Sequence, residues 1–486
     1  MQKEGLSAKA RRRRIRGYAL DLLRNRYPSA SAPAVVWLPD RPPWGTELSD
    51  VEVLRKELLG VRLRGGKIVL YGHDDMDGIT GLFVGLRVLR GEGFHVIPIV
   101  PRRESEDYGL QPERMEPHLR EGDLLMTVDY GCTAVRGVDW ARKRGARVVV
   151  TDHHTLNDPL PAVHGMVNPQ KNDSEGTVLA GCGVLYCALT AVYPRWEDDD
   201  QLLAAVALGT VSDRVPLIGW NRYLLHRWSL IRRDNLTAGL KVLMDSWPGE
   251  GNAWSASMVR HDITSTVGKG SGSGIDRMLN FMFSNDEDSC RRSWAEMSKR
   301  SMNRGGVLSK IVRRAMELKD PQADAYGMVL VKMDEMPSGM GGTLASKLCK
   351  ICRRGAIVVA RRSDGTFTGE ARSMGDWDMA RFLVSLKDRL TSAGGHAMAA
   401  GFSKNGGEWP ELRDLLISHM AEFPARPVPR PHIDLTLREL PDPRHFLCLA
   451  PFGPRFPPPA LRIDGMRYLL NLTGKPNWCI SEDIGE

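Results

Sequence analysis

Lys67-Ile-Val-Leu-Tyr-Gly-His-Asp-Asp-Met-Asp-Gly-Ile79 is the stretch whose reading decides the fold. Its first five residues form a short apolar run with β-branched members. A polar turn follows, and residues 79–90 then carry apolar side chains at helical spacing. The pattern is a buried strand fed through a tight turn into a helix. Outward from it, residues 94–100 read as a second strand, 124–128 as a third and 147–151 as a fourth, with a helical pattern at 134–143. Strands alternating with helices predict βαβ units around a parallel sheet. Further apolar helix is expected at 183–192 and 202–211.

The rest of the 486-residue chain divides by composition. Residues 1–66 are a basic N-terminal arm (Arg11 to Arg14) and a lead-in rich in Pro and Trp (Pro39, Pro42, Pro43, Trp44). Residues 67–213 form the first α/β domain. Residues 214–325 read as a helical connector, interrupted by Gly268-Lys-Gly-Ser-Gly-Ser-Gly274. A second, smaller α/β domain over 326–424 has strands at 328–331, 356–360 and 367–371 and helices at 345–352 and 377–390. A Pro-rich linker and a short tail fill 425–486. The expected architecture is α/β, two domains joined by the connector with a cleft between them.

Hydrophobic residues make up 42% of the chain and charged residues 26%, which argues against disorder. No apolar run approaches the roughly 18–20 residues that span a bilayer. Residues 15–23 contain Arg16 and Asp21 and lack the apolar core of a secretory signal. Eight cysteines are sparse for a secreted scaffold, and Cys349-x-x-Cys352 has no second pair at zinc spacing, so reduced thiols in a cytoplasmic protein are expected. The net charge of +8 is unevenly spread. Residues 67–213 carry 14 Lys+Arg against 22 Asp+Glu, whereas the connector carries 18 against 12.

Acidic and imidazole groups sit where the strands of this acidic domain end. His73-Asp-Asp-Met-Asp77-Gly78 follows the first strand, Asp129-Tyr-Gly131 the third and Asp152-His153-His154 the fourth. Asp213 closes the apolar helix at Gly209-Thr-Val-Ser-Asp213. In an open parallel sheet the carboxyl ends of the strands face one crevice, where ligands bind. One Asp at a strand end is commonly a helix N-cap. Several such segments in one crevice would repel one another unless cations were present. Oxygen donors with some imidazole and no thiolate suit Mn²⁺ or Mg²⁺, and more than four candidate ligands point to two ions. In the second domain, a Gly394-Gly395 pair lets backbone amides approach an anion closely, or forms a tight turn beside a core histidine, His396. The run with Lys269 lacks P-loop spacing, so it reads as a phosphate nest or a flexible linker.

These residues resemble the DHH phosphoesterase superfamily and, within it, the RecJ-type single-strand exonucleases. Supporting stretches are Glu106-Asp-Tyr108-Gly-Leu110, Val167-Asn-Pro169, Ala180-Gly-Cys-Gly-Val184, Val215-Pro-Leu217, Gly369-Glu-Ala-Arg-Ser373 and Gly394-Gly-His-Ala-Met-Ala-Ala-Gly401. In the tail, Ile433-Asp434 and Leu449-Ala-Pro-Phe-Gly453 add to the likeness. The resemblance implies that 67–213 is a DHH catalytic domain and 326–424 a DHH-associated substrate-binding domain. It also implies that Asp129 bridges two ions, that His73 and Asp75 hold one, and that Asp77, His153 and Asp213 hold the other. His154 would face the scissile phosphate and Asp152 would orient an imidazole. Arg372, Ser373, Gly394, Gly395 and His396 would bind the substrate, with Arg277, Lys269 and Tyr108 as further candidates. Three departures stand out. His73 occupies a position usually held by Asp. Gly268 to Gly274 and Ile275-Asp-Arg277 replace an Arg- and Asn-bearing segment of the connector. About 25 residues follow Leu461, too few for an OB domain.

The reading is a monomeric, cytoplasmic, two-metal phosphodiesterase of DNA repair or recombination. It would act from an end of single-stranded nucleic acid, DNA before RNA, and 5′ to 3′ by resemblance, with no membrane partner. The alternatives are a phosphodiesterase for short oligonucleotides or cyclic dinucleotides, and a non-catalytic replication or repair scaffold.

Overall fold

A computed structural model describes residues 18–27, 44–101, 110–156, 158–172, 175–247, 255–259, 263, 266–267, 275–334, 336, 340–423, 433–472 and 476–483. The basic arm from Arg11 to Arg14, Tyr108, Lys269 with the glycine run around it, and the linker prolines lie outside the described residues. Two compact units divide the chain, one formed by 1–301 with 433–486 and the other by 302–432.

The first unit opens with α1 (Tyr18–Arg26) and α2 (Val51–Leu63). It then alternates β1 (Ile68–Gly72), α3 (Met76–Gly91), β2 (Val96–Ile99), β3 (Leu124–Val128), α4 (Val135–Lys143), β4 (Arg147–Thr151) and β5 (Gly165–Val167). The five strands form one sheet in the order β2-β1-β3-β4-β5, every neighbouring pair parallel. Their alternation serves two cores. Ile68, Leu70, Leu124, Met126 and Val149 face a layer that includes α3, while Val69, Tyr71, Leu125, Val148 and Val150 face Val138 and Ala141 of α4. Burial on both faces is why these strands read as continuous apolar runs. The first layer also holds α5 (Gly181–Val192), α6 (Asp200–Ser212) and α7 (Gly219–Trp228). The helices α8 (Ile275–Phe283) and α9 (Glu287–Glu317) follow, and the division between the units falls within α9. Among the described residues no helix is long and apolar enough to cross a membrane.

The second unit is a mixed sheet, β6 (Met328–Lys332), β7 (Gly355–Arg361), β8 (Phe367–Arg372), β9 (Ser392–His396) and β10 (Ala399–Lys404), in the order β6-β7-β8-β10-β9. Only β6 and β7 are parallel. Helices α10 (Gly341–Cys352), α11 (Met379–Val384) and α12 (Trp409–Glu422) cover it. The helix expected over 377–390 is short, because after Val384 the chain turns through i→i−3 bonds such as Lys387 N–H to the Val384 carbonyl.

The C-terminal segment returns to the first unit as a four-stranded sheet, β11 (Leu435–Thr436), β12 (Ala460–Ile463), β13 (Met466–Asn471) and β14 (Asn477–Asp483). Ala19, Leu22 and Leu23 of α1 share a core with Phe446, Phe452, Phe456 and Leu461. Asp434 pairs through both oxygens with Arg26 and also accepts the Ala460 N–H at 2.7 Å. Arg222 of α7 is buried at 2% exposure and donates to the carbonyls of Leu449 (2.6 Å) and Pro451 (3.0 Å). Burial lowers its guanidinium to about 9, which leaves it charged at neutral pH. The tail motifs Ile433-Asp434 and Leu449 to Gly453 are thus the parts that grip α1 and α7.

Candidate metal centre

Every proposed metal ligand sits at the carboxyl edge of the parallel sheet or at the helix end beside it. His73 follows β1. Asp75 is the N-cap of α3 and accepts the Gly78 N–H at 3.0 Å, so it serves as both cap and candidate ligand. Gly78 is required by the tightness of this turn, since a Cβ there would lie 2.4 Å from the His73 carbonyl oxygen. Asp129 follows β3 in the left-handed region, φ 57°, a strained conformation for a residue with a side chain. Asp152, His153 and His154 follow β4, and Asp213 caps the end of α6.

Three groups of ligand atoms converge, each within 4.8 Å: His73, Asp75 and Asp129; Asp77, His153 and Asp213; and Asp129, His153 and His154. Asp129 and His153 each belong to two of them. His73 Nδ1 lies 2.9 Å from Asp75 Oδ2 and 3.8 Å from Asp129 Oδ2. His153 Nε2 lies 3.2 Å from Asp129 Oδ1 and 3.5 Å from Asp213 Oδ2. His154 Nδ1 lies 2.8 Å from Asp152 Oδ1.

Backbone amides fix the carboxylates. Asp77, buried at 1% exposure, accepts the Gly181 N–H at 2.7 Å and the Cys182 N–H at 2.9 Å, both from the first turn of α5. Asp152 accepts the Cys132 N–H at 2.9 Å on one oxygen and the His153 N–H at 2.8 Å on the other. Asn168 Nδ2 donates to the His154 carbonyl at 3.0 Å. The sequence motifs that contain Gly181 and Asn168 do not by themselves assign them these roles. The available signal was a glycine-rich opening of an apolar helix beside acidic strand ends.

The electrostatics show a site short of positive charge. Burial, then the charges of Asp77, Asp75, Asp152 and Asp213, drive Asp129 well above the usual carboxylate range. Burial, then the charges of Asp77 and Asp75, raise Asp213 to about 8. Burial lowers His153. The hydrogen bond to Asp152 raises His154 to about 9. Burial works against the charge of Asp152, yet its bonds with His154 and the Cys132 amide hold it below the carboxylate range. Asp129 Oδ1 and His153 Nε2 are buried and take no hydrogen bond. Buried polar atoms are rarely left so, and a divalent cation would satisfy both. The donor set of carboxylates and imidazoles fits Mn²⁺ or Mg²⁺.

The other predicted site residues belong to other elements of the chain. Arg372 ends β8 and donates to Glu370 Oε2 at 3.2 Å. Ala399 of β10 pairs with Arg372 on one side and His396 on the other, so the structure brings these two segments together across one strand. Gly394 and Gly395 lie on the exposed β9. Gly395 has φ 132°, and a Cβ there would lie 2.5 Å from Ala400 Cα. The Ser373 hydroxyl is engaged within its own turn, by Asp376 at 3.0 Å and the amides of Gly375 and Trp377. Arg277 is exposed on α8, beside a cavity of about 300 Å³ floored by Met278, Phe281 and Cys290.

Comparison with known proteins places these motifs. The description "DHH family, N-terminal domain" matches residues 67–210 and "DHHA1 domain" matches 326–422. The single-stranded-DNA-specific exonuclease RecJ of Dickeya dadantii is 30% identical over 404 residues, covering 77% of this chain and 69% of that protein. The chain belongs to the RecJ family. The Thermus thermophilus RecJ is 29% identical over 423 residues, which cover 84% of this chain but only 60% of that protein's length. Among solved structures, an exonuclease RecJ bound to manganese superposes with a TM-score of 0.65 at 27% identity, over 78% of this chain and 96% of that one. The Mn²⁺ complex of Thermus thermophilus RecJ shares the fold with a TM-score of 0.76 at 24% identity, over 98% of this chain and 72% of that one. The RecJ fold thus accounts for the parallel sheet that carries the cluster.

Proposed function

We propose that the chain is a metal-dependent phosphodiesterase that degrades single-stranded DNA, and RNA less well, from an end, 5′ to 3′. The observation that carries this reading is the convergence of three ligand groups linked to one another through Asp129 and His153. The RecJ relatives are described as single-stranded-DNA-specific exonucleases, and Thermus thermophilus RecJ has been solved with Mn²⁺ and with Mg²⁺.

Asp129 groups with His73 and Asp75 and lies 3.2 Å from His153 of the neighbouring group, so it would bridge the two sub-sites. His73 and Asp75 would hold one divalent cation, and Asp77, His153 and Asp213 the other. Such a pair, when bound, lowers the pKa of a water and offsets charge on a phosphoryl group in transit. The protein supplies the rest. Asp152 turns His154 by its Nδ1, leaving Nε2 of this half-exposed ring for a phosphate oxygen. Arg372 and the Gly394-Gly395-His396 strand offer a guanidinium and close-approach backbone to phosphate, while Ser373 braces the turn between them. Arg277, Lys269 and Tyr108 are further candidates along the strand. A cytoplasmic role in DNA repair or recombination follows from this reading.

The test is a 20-mer of single-stranded DNA or RNA, labelled at its 5′ or 3′ end and incubated with Mn²⁺ or Mg²⁺. Stepwise loss from one end, with affinity falling steeply as salt rises, is expected. Preference for dinucleotides would turn the assignment to the short-substrate alternative. No hydrolysis with either metal would turn it to a scaffold.

A further inference from the structure

The ligand Asp213 stands at the end of α6, so the chain leaving it helps to fix where its carboxylate points. Arg214 follows in the left-handed region, φ 67°, and residues 214–218 lead into α7. Two adjacent side chains of α7 hold this loop. Asn221, fully buried, donates to the Pro216 carbonyl at 2.8 Å and to that of Val178. Arg222 donates to the Leu217 carbonyl at 3.5 Å and, with its other hydrogens, to Leu449, Ala450 and Pro451 of the C-terminal segment. Its guanidinium lies 4.1 Å from the centre of the Phe456 ring. The Leu217 N–H completes the link by donating to the Pro454 carbonyl at 2.9 Å. At Gly453 a Cβ would lie 2.5 Å from Leu217 Cδ1, so segment and loop are in close apposition.

We infer that Arg222 is a positioning residue for the metal centre: it clasps residues 449–454 against the loop after Asp213 and thereby sets the occupancy of one cation. That cation is the one grouped with Asp77, His153 and Asp213. The C-terminal segment would act on it without touching it. The inference rests on the two-cation reading above and adds a division of labour within it. His73 and Asp75 are placed by β1 and α3 and do not depend on the clasp.

The experiment measures Mn²⁺ binding to the full chain without nucleic acid, by calorimetry and by electron paramagnetic resonance of free Mn²⁺. Wild type is expected to bind two ions. Arg222→Met should weaken one by about tenfold or more and leave the other within about twofold, the scale of losses when a ligand's support is removed. Arg222→Lys should recover part of the loss. In an Asp213→Asn background Arg222→Met should add nothing further, whereas in a His73→Ala background its effect should add in full. Val138→Ala, a cavity in the opposite core layer, serves as the destabilised control and should keep both ions. Should Arg222→Met fail to fold, Gly453→Ala reads the same link by one added methyl group beside Leu217. Equal weakening of both ions, unchanged binding, or an effect additive with Asp213→Asn would overturn the inference. Fewer than two ions on wild type would instead overturn the two-cation reading itself.

Discussion

Replacing Gly181 by alanine should damage the metal centre while favouring the helix that carries it. Asp77 is held by the amides of Gly181 and Cys182, at 2.7 and 2.9 Å. A Cβ at position 181 would lie 2.4 Å from Asp129 Cβ, 2.6 Å from its Cα and 2.7 Å from its Oδ1. Carbon atoms rest at about 3.5–4.0 Å, so something must move by roughly 1 Å. Asp129 is fixed in a left-handed conformation at the end of a central strand, so the first turn of α5 would retreat and withdraw its amides from Asp77. A misplacement of about 1 Å can cost about 10²-fold in rate, and loss of outer support about 10–100-fold in metal affinity. Alanine is the better helix former by about 1 kcal/mol, so poor helix formation cannot explain a loss. Gly183→Ala is the matched control, because its nearest contact is Leu179 Cδ2 at 3.3 Å. Mn²⁺ titration and turnover of end-labelled single-stranded DNA should show Gly181→Ala down by those factors and Gly183→Ala near wild type. Wild-type affinity and turnover in Gly181→Ala would refute the reasoning.

Other consequences can be checked alongside it. With metal chelated, Asp213 has a folded value of about 8 against an unfolded value near 3.9, so its stabilising contribution is full below about pH 4 and lost as pH rises through about 8. Thermal unfolding of chelated protein should therefore show a decline in Tm across that window that Asp213→Asn flattens. A wild-type slope in the variant would contradict the assignment. At pH 8, Mn²⁺ should raise the Tm of wild type, since a ligand that binds only the folded state stabilises it; no rise would count against a metal centre. Asp434→Ala leaves Arg26, whose side chain is 4% exposed, without its carboxylate partner and should cost about 3–5 kcal/mol in denaturant unfolding. A loss below about 1 kcal/mol would show that α1 is not held this way. Arg372→Ala should raise KM for single-stranded DNA and lower the salt slope by about 0.7, with Mn²⁺ binding unchanged; an unaltered slope would exclude a phosphate contact.

The parallel sheet was legible because each of its main strands is buried on both faces. Residues 124–128 and 147–151 are strands at the bounds their apolar runs suggest. β5 was not legible, since three residues are too short to show a period. The tail sheet was hidden for another reason. Its strands are half-exposed, and the core they complete comes from α1 at the far end of the chain, which no local pattern can report. At the site, the acidic groups could be read one by one from their places after strands. Their supports could not, because they are backbone amides, such as those of Gly181, Cys182 and Cys132, that carry no side-chain signature. The left-handed turn at Asp129 is likewise invisible in a residue that usually caps helices.

The most direct test of the account is hydrolysis of end-labelled single-stranded DNA by Asp129→Ala with saturating Mn²⁺, read beside its circular dichroism. Asp129 is the proposed bridge between the two sub-sites, so the account predicts an unchanged spectrum and no detectable shortening of the strand. A folded Asp129→Ala that retains more than a few per cent of wild-type activity would contradict it.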